Sequence, residues 1–383
     1  MAPGLIARQD AFHQHAPYVG RGEAPRPVSL ASLRIGQEGA KIALGDYEAS
    51  IHREVAVDYV RLGNSGLKVS RVCLGTMTFG READEETSFK IMDRYVELGG
   101  NFVDTADAYS VGKTEEVVGR WLGQRGNRQQ IVLATKVYNV MGPGPNERGL
   151  SRIHIQQGVE DSLRRLQTDV IDLYQIHRWD PYAPLEETAE VLNDLVRQGK
   201  VRYIGCSNLA AWQLSRYLQT MEQNHWSRFV SLQPVYNALN RSIESELLPL
   251  CRDEGLGVMT YNPLAGGMLT GKYKPGEALP PGSRLEAFKM YYERYFTKEA
   301  TDIVNAFLAA ARERGCTPAQ LALAWVLGEP RLTCPIIGAR TMEQFNDSMG
   351  GLELALTPEE REAVPSVLQG RWVGIDPVYD RKL

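Results

Sequence analysis

Short apolar runs rich in β-branched residues alternate along this chain with stretches whose apolar positions recur every three or four residues. The first pattern marks buried strands and the second marks amphipathic helices. Eight runs fit a strand: VCLGT (72–76), NFVDT (101–105), IVLATK (131–136), VIDLYQIH (170–177), VRYIGCS (201–207), VSLQP (230–234), LGVMTYN (256–262) and CPIIG (334–338). Helical periods lie between them. DEETSFKIMDRYVELG places Phe89, Met92 and Val96 on one face and stops at a glycine. SRIHIQQGVEDSLRRL opens on a serine cap and sets Ile155, Val159, Leu163 and Leu166 at helical spacing. LEETAEVLNDLVRQGK, SIESELLPLCRDEG and TPAQLALAWVLG follow the same logic. Ahead of the first strand, YVRLGNSGLKVSRV has two strand-like pieces around Asn-Ser-Gly, which predicts a β-hairpin.

Eight strands alternating with helices predict an α/β fold, a parallel (β/α)8 TIM barrel, over residues 58–383. A doubly wound sheet is the competing architecture. It would want G-x-G-x-x-G after its first strand, and GTMTFG does not supply that fingerprint. Residues 1–57 are rich in Ala, Gly, Pro and charge, with weak periodicity. They read as a partly disordered extension. It is either an overlong start or an arm that packs on the barrel or on a partner subunit.

Composition narrows the function classes. The 383 residues carry a net charge of −4, which gives no electrostatic reason to expect nucleic acid or an anionic membrane as partner. No apolar run approaches the roughly 20 residues of a membrane span. Arg8 and Asp10 break the mildly apolar start, against a signal peptide. The five scattered cysteines form no C-x-x-C pair, which argues for a reducing, cytoplasmic setting and against a structural zinc site.

In a barrel of this kind chemistry sits where strands end and loops begin. The second strand ends at Asp104, with Tyr109 in its loop; the third ends at Lys136 and the fourth at His177. Singly each has an ordinary structural reading: a helix cap, a solvent-reaching lysine, a satisfied core histidine. Together they support one chemistry. A free tyrosine is too weak an acid, with a pKa of about 10, to donate efficiently near neutrality. A nearby ammonium favours its phenolate, and an aspartate would hold that lysine charged. A histidine can orient a carbonyl oxygen toward the tyrosine.

The segments VCLGTMTFG, NFVDTADAYS, LATKV, IDLYQIHRWD, YIGCSN, LQPVYN, YNPLAGGMLTGKY and PIIGARTMEQ occur in an order and spacing that resemble the aldo-keto reductases, from about Tyr59 to the C-terminus. The branch it resembles includes bacterial and fungal reductases, aryl-alcohol dehydrogenases and potassium-channel β subunits. The resemblance implies a catalytic four of Asp104, Tyr109, Lys136 and His177, with Tyr109 as proton donor. It implies a nicotinamide cofactor, mostly NADPH, and a small-molecule carbonyl substrate reduced without a metal. By position Thr76, Met77 and Asp104 line the cofactor, Ser207, Asn208 and Gln233 hold its carboxamide, and Tyr261 stacks beneath the nicotinamide. Asn262, Pro263, Leu264, Ala265, Gly266, Lys272 and Arg284 follow in the seventh loop. Gly338, Arg340, Gln344 and Asp347 fall on the adenosine side, where Ser348 stands in place of the family's usual Asn.

The residues add physical reasons. NPLAGGMLTGK contains G-x-x-x-x-G-K, but Tyr273 stands where a nucleotide-triphosphate loop needs Ser or Thr for magnesium. Its glycines and Lys272 still suit a pyrophosphate. Arg340, just ahead of a helix start, suits a 2′-phosphate and favours NADPH over NADH. GPGPNERG (142–149) reads as a mobile substrate-side loop, with a phosphate cradle as the alternative. Trp179 with Phe288, Tyr291, Tyr292, Tyr295 and Phe296 either lines an aromatic substrate pocket or simply packs on the barrel. Two further functions remain in play. Some channel β subunits of this type keep the barrel and cofactor for regulation, but there the strand-four histidine is typically replaced. A Schiff-base lyase would use Lys136, but that needs a neutral lysine, which Asp104 would oppose.

Overall fold

In the computed structural model, which describes residues 57–274, 277–287 and 295–367, eight parallel strands close into a barrel. A hairpin of β1 (Tyr59–Arg61) and β2 (Lys68–Ser70) precedes it. The barrel strands are β3 (Cys73–Gly75), β4 (Phe102–Asp104), β5 (Val132–Val137), β6 (Ile171–Ile176), β7 (Val201–Ser207), β8 (Phe229–Gln233), β9 (Gly257–Thr260) and β10 (Cys334–Ile337). They pair in chain order, with β10 closing on β3. The architecture read from the hydrophobic pattern is therefore the one observed, and the hairpin is where Asn-Ser-Gly placed it. Strand ends differ by one or two residues. β5 runs one residue past Lys136, and His177 lies just beyond β6.

Period two decides which side chains enter the barrel. Along β5, Val132 and Ala134 join the interior cluster, whereas Leu133 and Val137 face the helices. Lys136 is the next inward position. β4 puts Phe102 and then Asp104 inside, and β6 puts Leu173 inside, followed by Gln175. Along β4, β5 and β6 the inward stripe thus starts apolar at the N-terminal end and turns polar at the C-terminal mouth. The hairpin supplies Leu62 and Val69 to the same interior cluster, so it plugs the opposite end. Its turn needs Gly63 at φ +58, because a Cβ there would lie 2.5 Å from the Gly255 oxygen.

Outside the strands lie helices whose apolar faces seal the second layer of core, among them Glu85–Glu97, Lys113–Arg125, Arg152–Leu166, Leu185–Arg197, Ala211–Gln223 and Lys298–Glu313. The stretch SIESELLPLCRDEG does not form one continuous helix. A 3-10 turn covers Ser242–Glu244, and the α-helix begins only at Leu247. Among the described residues no helix is long and apolar enough to cross a membrane. All five cysteines are unpaired. Residues 1–56 of the extension, Phe288, Tyr291 and Tyr292 lie outside the described residues.

Candidate active site

Asp104 and Lys136 occupy the inward positions at the mouths of neighbouring strands, both buried. Lys136 Nζ donates to Asp104 Oδ2 at 2.5 Å, to the Thr105 carbonyl at 2.8 Å and to Tyr109 Oη at 3.2 Å. Three donors thus have three acceptors, which is all an ammonium offers. The other Asp104 oxygen accepts from Gln233 Nε2 at 2.9 Å and from Gln175 Nε2 at 3.2 Å. A buried ion pair is tolerable only when its remaining lone pairs are satisfied, and here they are. Burial by itself would lower the Lys136 pKa. The Asp104 and Tyr109 oxygens more than reverse that, and the net shift is upward.

Tyr109 reaches this pair through a strained turn. Ser110, Val111 and Gly112 follow it with φ of +51, +54 and +89. A β-branched residue in the left-handed region is an outlier. Such strain persists only where the surroundings enforce it. Behind the turn, buried Glu115 accepts from Thr135 Oγ1 at 2.5 Å, Arg165 Nε at 2.7 Å and Ser162 Oγ at 3.2 Å. This network ties the tyrosine loop to β5 and to the helix Arg152–Leu166.

His177 stands edge-on to Tyr109, with ring centroids 6.0 Å apart. Its amide donates to Val137 O, and its carbonyl accepts from Asn208 Nδ2, each at 3.0 Å. Desolvation, Lys136 and Arg178 together hold its pKa well below the usual histidine range. The imidazole is therefore neutral at physiological pH.

Tyr109, His177 and Asp104 line one cavity of about 540 Å³ that also reaches Arg340, Gln344, Asp347 and Ser348. That volume is within the ordinary range for cofactor pockets, about 300–1,000 Å³. Ser207, Asn208, Gln233 and Tyr261 lie between the two ends and are linked to one another. Ser207 Oγ donates to Gln233 O at 2.7 Å, and Tyr261 Oη donates to Asn208 Oδ1 at 2.9 Å. In the seventh loop Gly266 and Gly267 have φ of +68 and +94, and Asn262 Oδ1 accepts from the Gly266 amide at 2.6 Å. Arg340 Nη1 donates to Gly282 O at 2.7 Å, and Arg284 Nη1 approaches Met77 Sδ at 3.7 Å. Arg340 thereby ties the segment around Gly282 to the loop after β10.

Met77, Pro263, Leu264, Lys272 and Gly338 also line the cavity. Thr76, Lys136 and Ala265 are buried behind its wall, where Thr76 Oγ1 donates to Asp104 O at 3.0 Å. Trp179 is not among the lining residues. It packs edge-on against Trp212 and Tyr217, with centroids 5.5 and 5.7 Å apart. Tyr295 is buried and accepts from Asn262 Nδ2 at 2.7 Å, so its ring serves the fold. Tyr273, which broke the magnesium motif, is also a core residue, bonded to Gly266 O at 3.3 Å. The GPGPNERG loop closes on itself: Gly149 N donates to Tyr138 O at 2.7 Å and Met141 N to Glu147 O at 2.9 Å. Sequence reading missed Arg178, Thr78 and Thr270, which line the cavity. Arg178 directly follows His177, and its position beside that residue was the available signal.

Among the described residues no group of three or more His, Cys, Asp and Glu side chains is placed to hold a metal. Asp104, Lys136, Tyr109 and His177 thus meet at the barrel mouth beside a cavity of about 540 Å³. The chain belongs to the aldo/keto reductase family, whose model matches residues 71–369. It is an NAD(P)H-dependent oxidoreductase of that family. An uncharacterized oxidoreductase, YrpG, of Bacillus subtilis is 42% identical over 323 residues, covering 82% of this chain and 97% of that protein. A probable voltage-gated potassium channel subunit beta of Arabidopsis thaliana is 36% identical over 322 residues, covering 82% and 98%. Versiconal hemiacetal acetate reductase of Aspergillus parasiticus is 34% identical over 328 residues, covering 79% and 95%.

Proposed function

We propose that the protein reduces an aldehyde or ketone to the alcohol with NADPH, and that Tyr109 gives the proton to the carbonyl oxygen. The observation that carries this reading is the Lys136 ammonium, bonded to Asp104 on one side and to the Tyr109 hydroxyl on the other. As the substrate oxygen gains negative charge, Tyr109 donates its proton, and Lys136 stabilises the charge left on the phenol oxygen. Asp104 keeps Lys136 protonated and in place. His177, being neutral, hydrogen-bonds the carbonyl oxygen and holds it toward Tyr109.

The residues of the long cavity fit a reduced nicotinamide dinucleotide, which when bound supplies the hydride. Ser207, Asn208 and Gln233 would hold its carboxamide, and Tyr261 offers a flat platform beside them. Lys272, Arg284 and the Gly266–Gly267 backbone would meet the pyrophosphate, whose charge suits a concave run of amides and cations. Arg340 would meet the 2′-phosphate, with Gln344 and Asp347 toward the adenine. Lys136 argues against imine chemistry, since Asp104 holds it charged when a Schiff base needs it neutral.

A second reading has an observation in its favour: the likeness to a protein named as a potassium channel β subunit. In that reading the barrel binds cofactor and regulates a partner with little or no turnover. Purified protein with NADPH and 4-nitrobenzaldehyde should lose reduced-nicotinamide absorbance. Tight NADPH binding without turnover of any carbonyl in a broad panel would overturn the reductase reading and favour the regulatory one.

A further inference from the structure

We propose that Asn139 is a positioning residue that fixes the His177 ring in the tautomer carrying its proton on Nε2. The inference rests on the carbonyl-reductase reading for its consequence, but not for its geometry. Asn139 Nδ2 lies 3.0 Å from His177 Nδ1. Asn139 turns its amide nitrogen toward the ring, and an amide nitrogen only donates, so in this orientation Nδ1 accepts and carries no proton. The single proton of a neutral ring is then left on Nε2.

Two features make the ring depend on this contact. The main chain of His177 is pinned at both ends, by Val137 O and by Asn208 Nδ2, so the position of the residue is settled. Those bonds say nothing about which ring nitrogen holds the proton. The groups facing the ring are Lys136 from β5, Arg178 from its own loop and Tyr109 from the loop after β4. Lys136 and Arg178 oppose a second proton, which favours the neutral ring while Asn139 is uncharged. Asn139 is in turn held by its own loop. Tyr138 O accepts from Gly149 N at 2.7 Å, and Met141 N donates to Glu147 O at 2.9 Å, on either side of it.

The choice of nitrogen matters because His177 lines the same cavity as Tyr109. A donor there attracts a carbonyl oxygen and sharpens that attraction as charge develops. A bare nitrogen would repel it. Asn139 thus acts on substrate through His177 and need not touch it.

Histidine-15N-labelled holoprotein read by two-bond proton–nitrogen NMR tests this without turnover. The expected wild-type result is a neutral His177 with its proton on Nε2; a proton on Nδ1 overturns the proposal. Asn139→Asp keeps the shape but replaces the donor by an acceptor. Its His177 should move the proton to Nδ1 at high pH and gain a second proton as pH falls. With the carbonyl substrate of the preceding section, kcat/KM should drop about a hundredfold at high pH, the scale of losing one preorganised donor. It should recover toward low pH, where the charged ring again donates from Nε2. A wild-type tautomer and a flat profile in Asn139→Asp would overturn the proposal. Unchanged NADPH affinity is the check that the variant is folded. Absence of any turnover in the wild type would sink the reductase reading, while the spectrum would still decide the tautomer.

Discussion

Lys136 Nζ lies 2.5 Å from Asp104 Oδ2, and neither side chain reaches solvent appreciably. Removing one partner leaves the other charge buried without compensation. Breaking such a pair costs about 3–5 kcal/mol. Lys136→Met and Asp104→Asn should each lose stability on that scale in urea unfolding. The double variant should lose less than the sum, because it removes both charges. Single-variant losses below about 1 kcal/mol would show that the pair is not desolvated as the geometry requires.

Asp107, two residues before Tyr109, makes a second prediction. Neither carboxyl oxygen has a well-formed hydrogen bond, and the nearby Ala108 amide only partly offsets the burial. Burial first, and the Glu115 charge second, push its pKa from 3.8 to about 8. The folded state therefore keeps a proton through a range where the unfolded chain releases it. Its contribution is complete below the unfolded value and is lost as pH rises toward 8, at about 1.4 kcal/mol per pH unit. Asp107→Asn cannot ionise and should remove this slope. Urea midpoints of the two proteins at acidic, neutral and mildly basic pH should diverge, with the variant gaining relative stability as pH rises. Parallel curves would refute the buried, proton-holding carboxyl.

The barrel was legible because the inward stripes of β4 and β5 are apolar until their last member, so Asp104 and Lys136 stand out at strand ends. What stayed hidden depends on pairings across the barrel or on helices with irregular faces. Lys113–Arg125 starts after Gly112 with no side-chain cap, and its buried Glu115 faces inward where a periodic pattern wants an apolar residue. Ala211–Gln223 is entered at Ala210, whose amide is capped instead by Gln213 Oε1 at 2.9 Å. Gln175 sits within an apolar strand, and nothing local announces that it serves Asp104, 71 residues away. Asn139 and His177 are 38 residues apart and meet only because β5 and β6 are neighbours. Trp179 follows His177 closely in sequence, yet it packs against a helix rather than lining the cavity.

Arg340, proposed above to meet the 2′-phosphate, also bonds the segment around Gly282. One guanidinium nitrogen is committed to Gly282 O at 2.7 Å, while another lies 3.8 Å from Glu82. Arg340→Ala should weaken NADPH about 10- to 100-fold, the equivalent of about 1.5–3 kcal/mol for a hydrogen bond to a charged group. NADH affinity should change little. Glu82→Gln removes a competing anion and should tighten NADPH. Fluorescence titrations with both cofactors check this, and equal losses for NADPH and NADH on Arg340→Ala would remove the phosphate-clamp role.

Two glycines one turn apart on Lys113–Arg125 should respond to the same substitution with opposite signs. A Cβ on Gly119 would lie 2.2 Å from the Arg165 carbonyl oxygen and 2.8 Å from the Leu166 carbonyl carbon. That neighbour is the backbone of the packed helix Arg152–Leu166, so it cannot swing away. Gly119→Ala must push the helices apart and disturb Arg165 on Glu115, at a cost of about 1–3 kcal/mol typical of overpacking. Gly123 is exposed, and its Cβ would meet only the Gln167 Oε1 atom at 3.2 Å. That atom ends a flexible side chain, so Gly123→Ala keeps the helix-propensity gain of about 0.8–1.0 kcal/mol. Thermal or urea unfolding should therefore show Gly119→Ala below the wild type and Gly123→Ala above it. Stabilisation by both would mean that the two helices are not in the close contact described. Destabilisation by both would mean that the Gly123 face is not free.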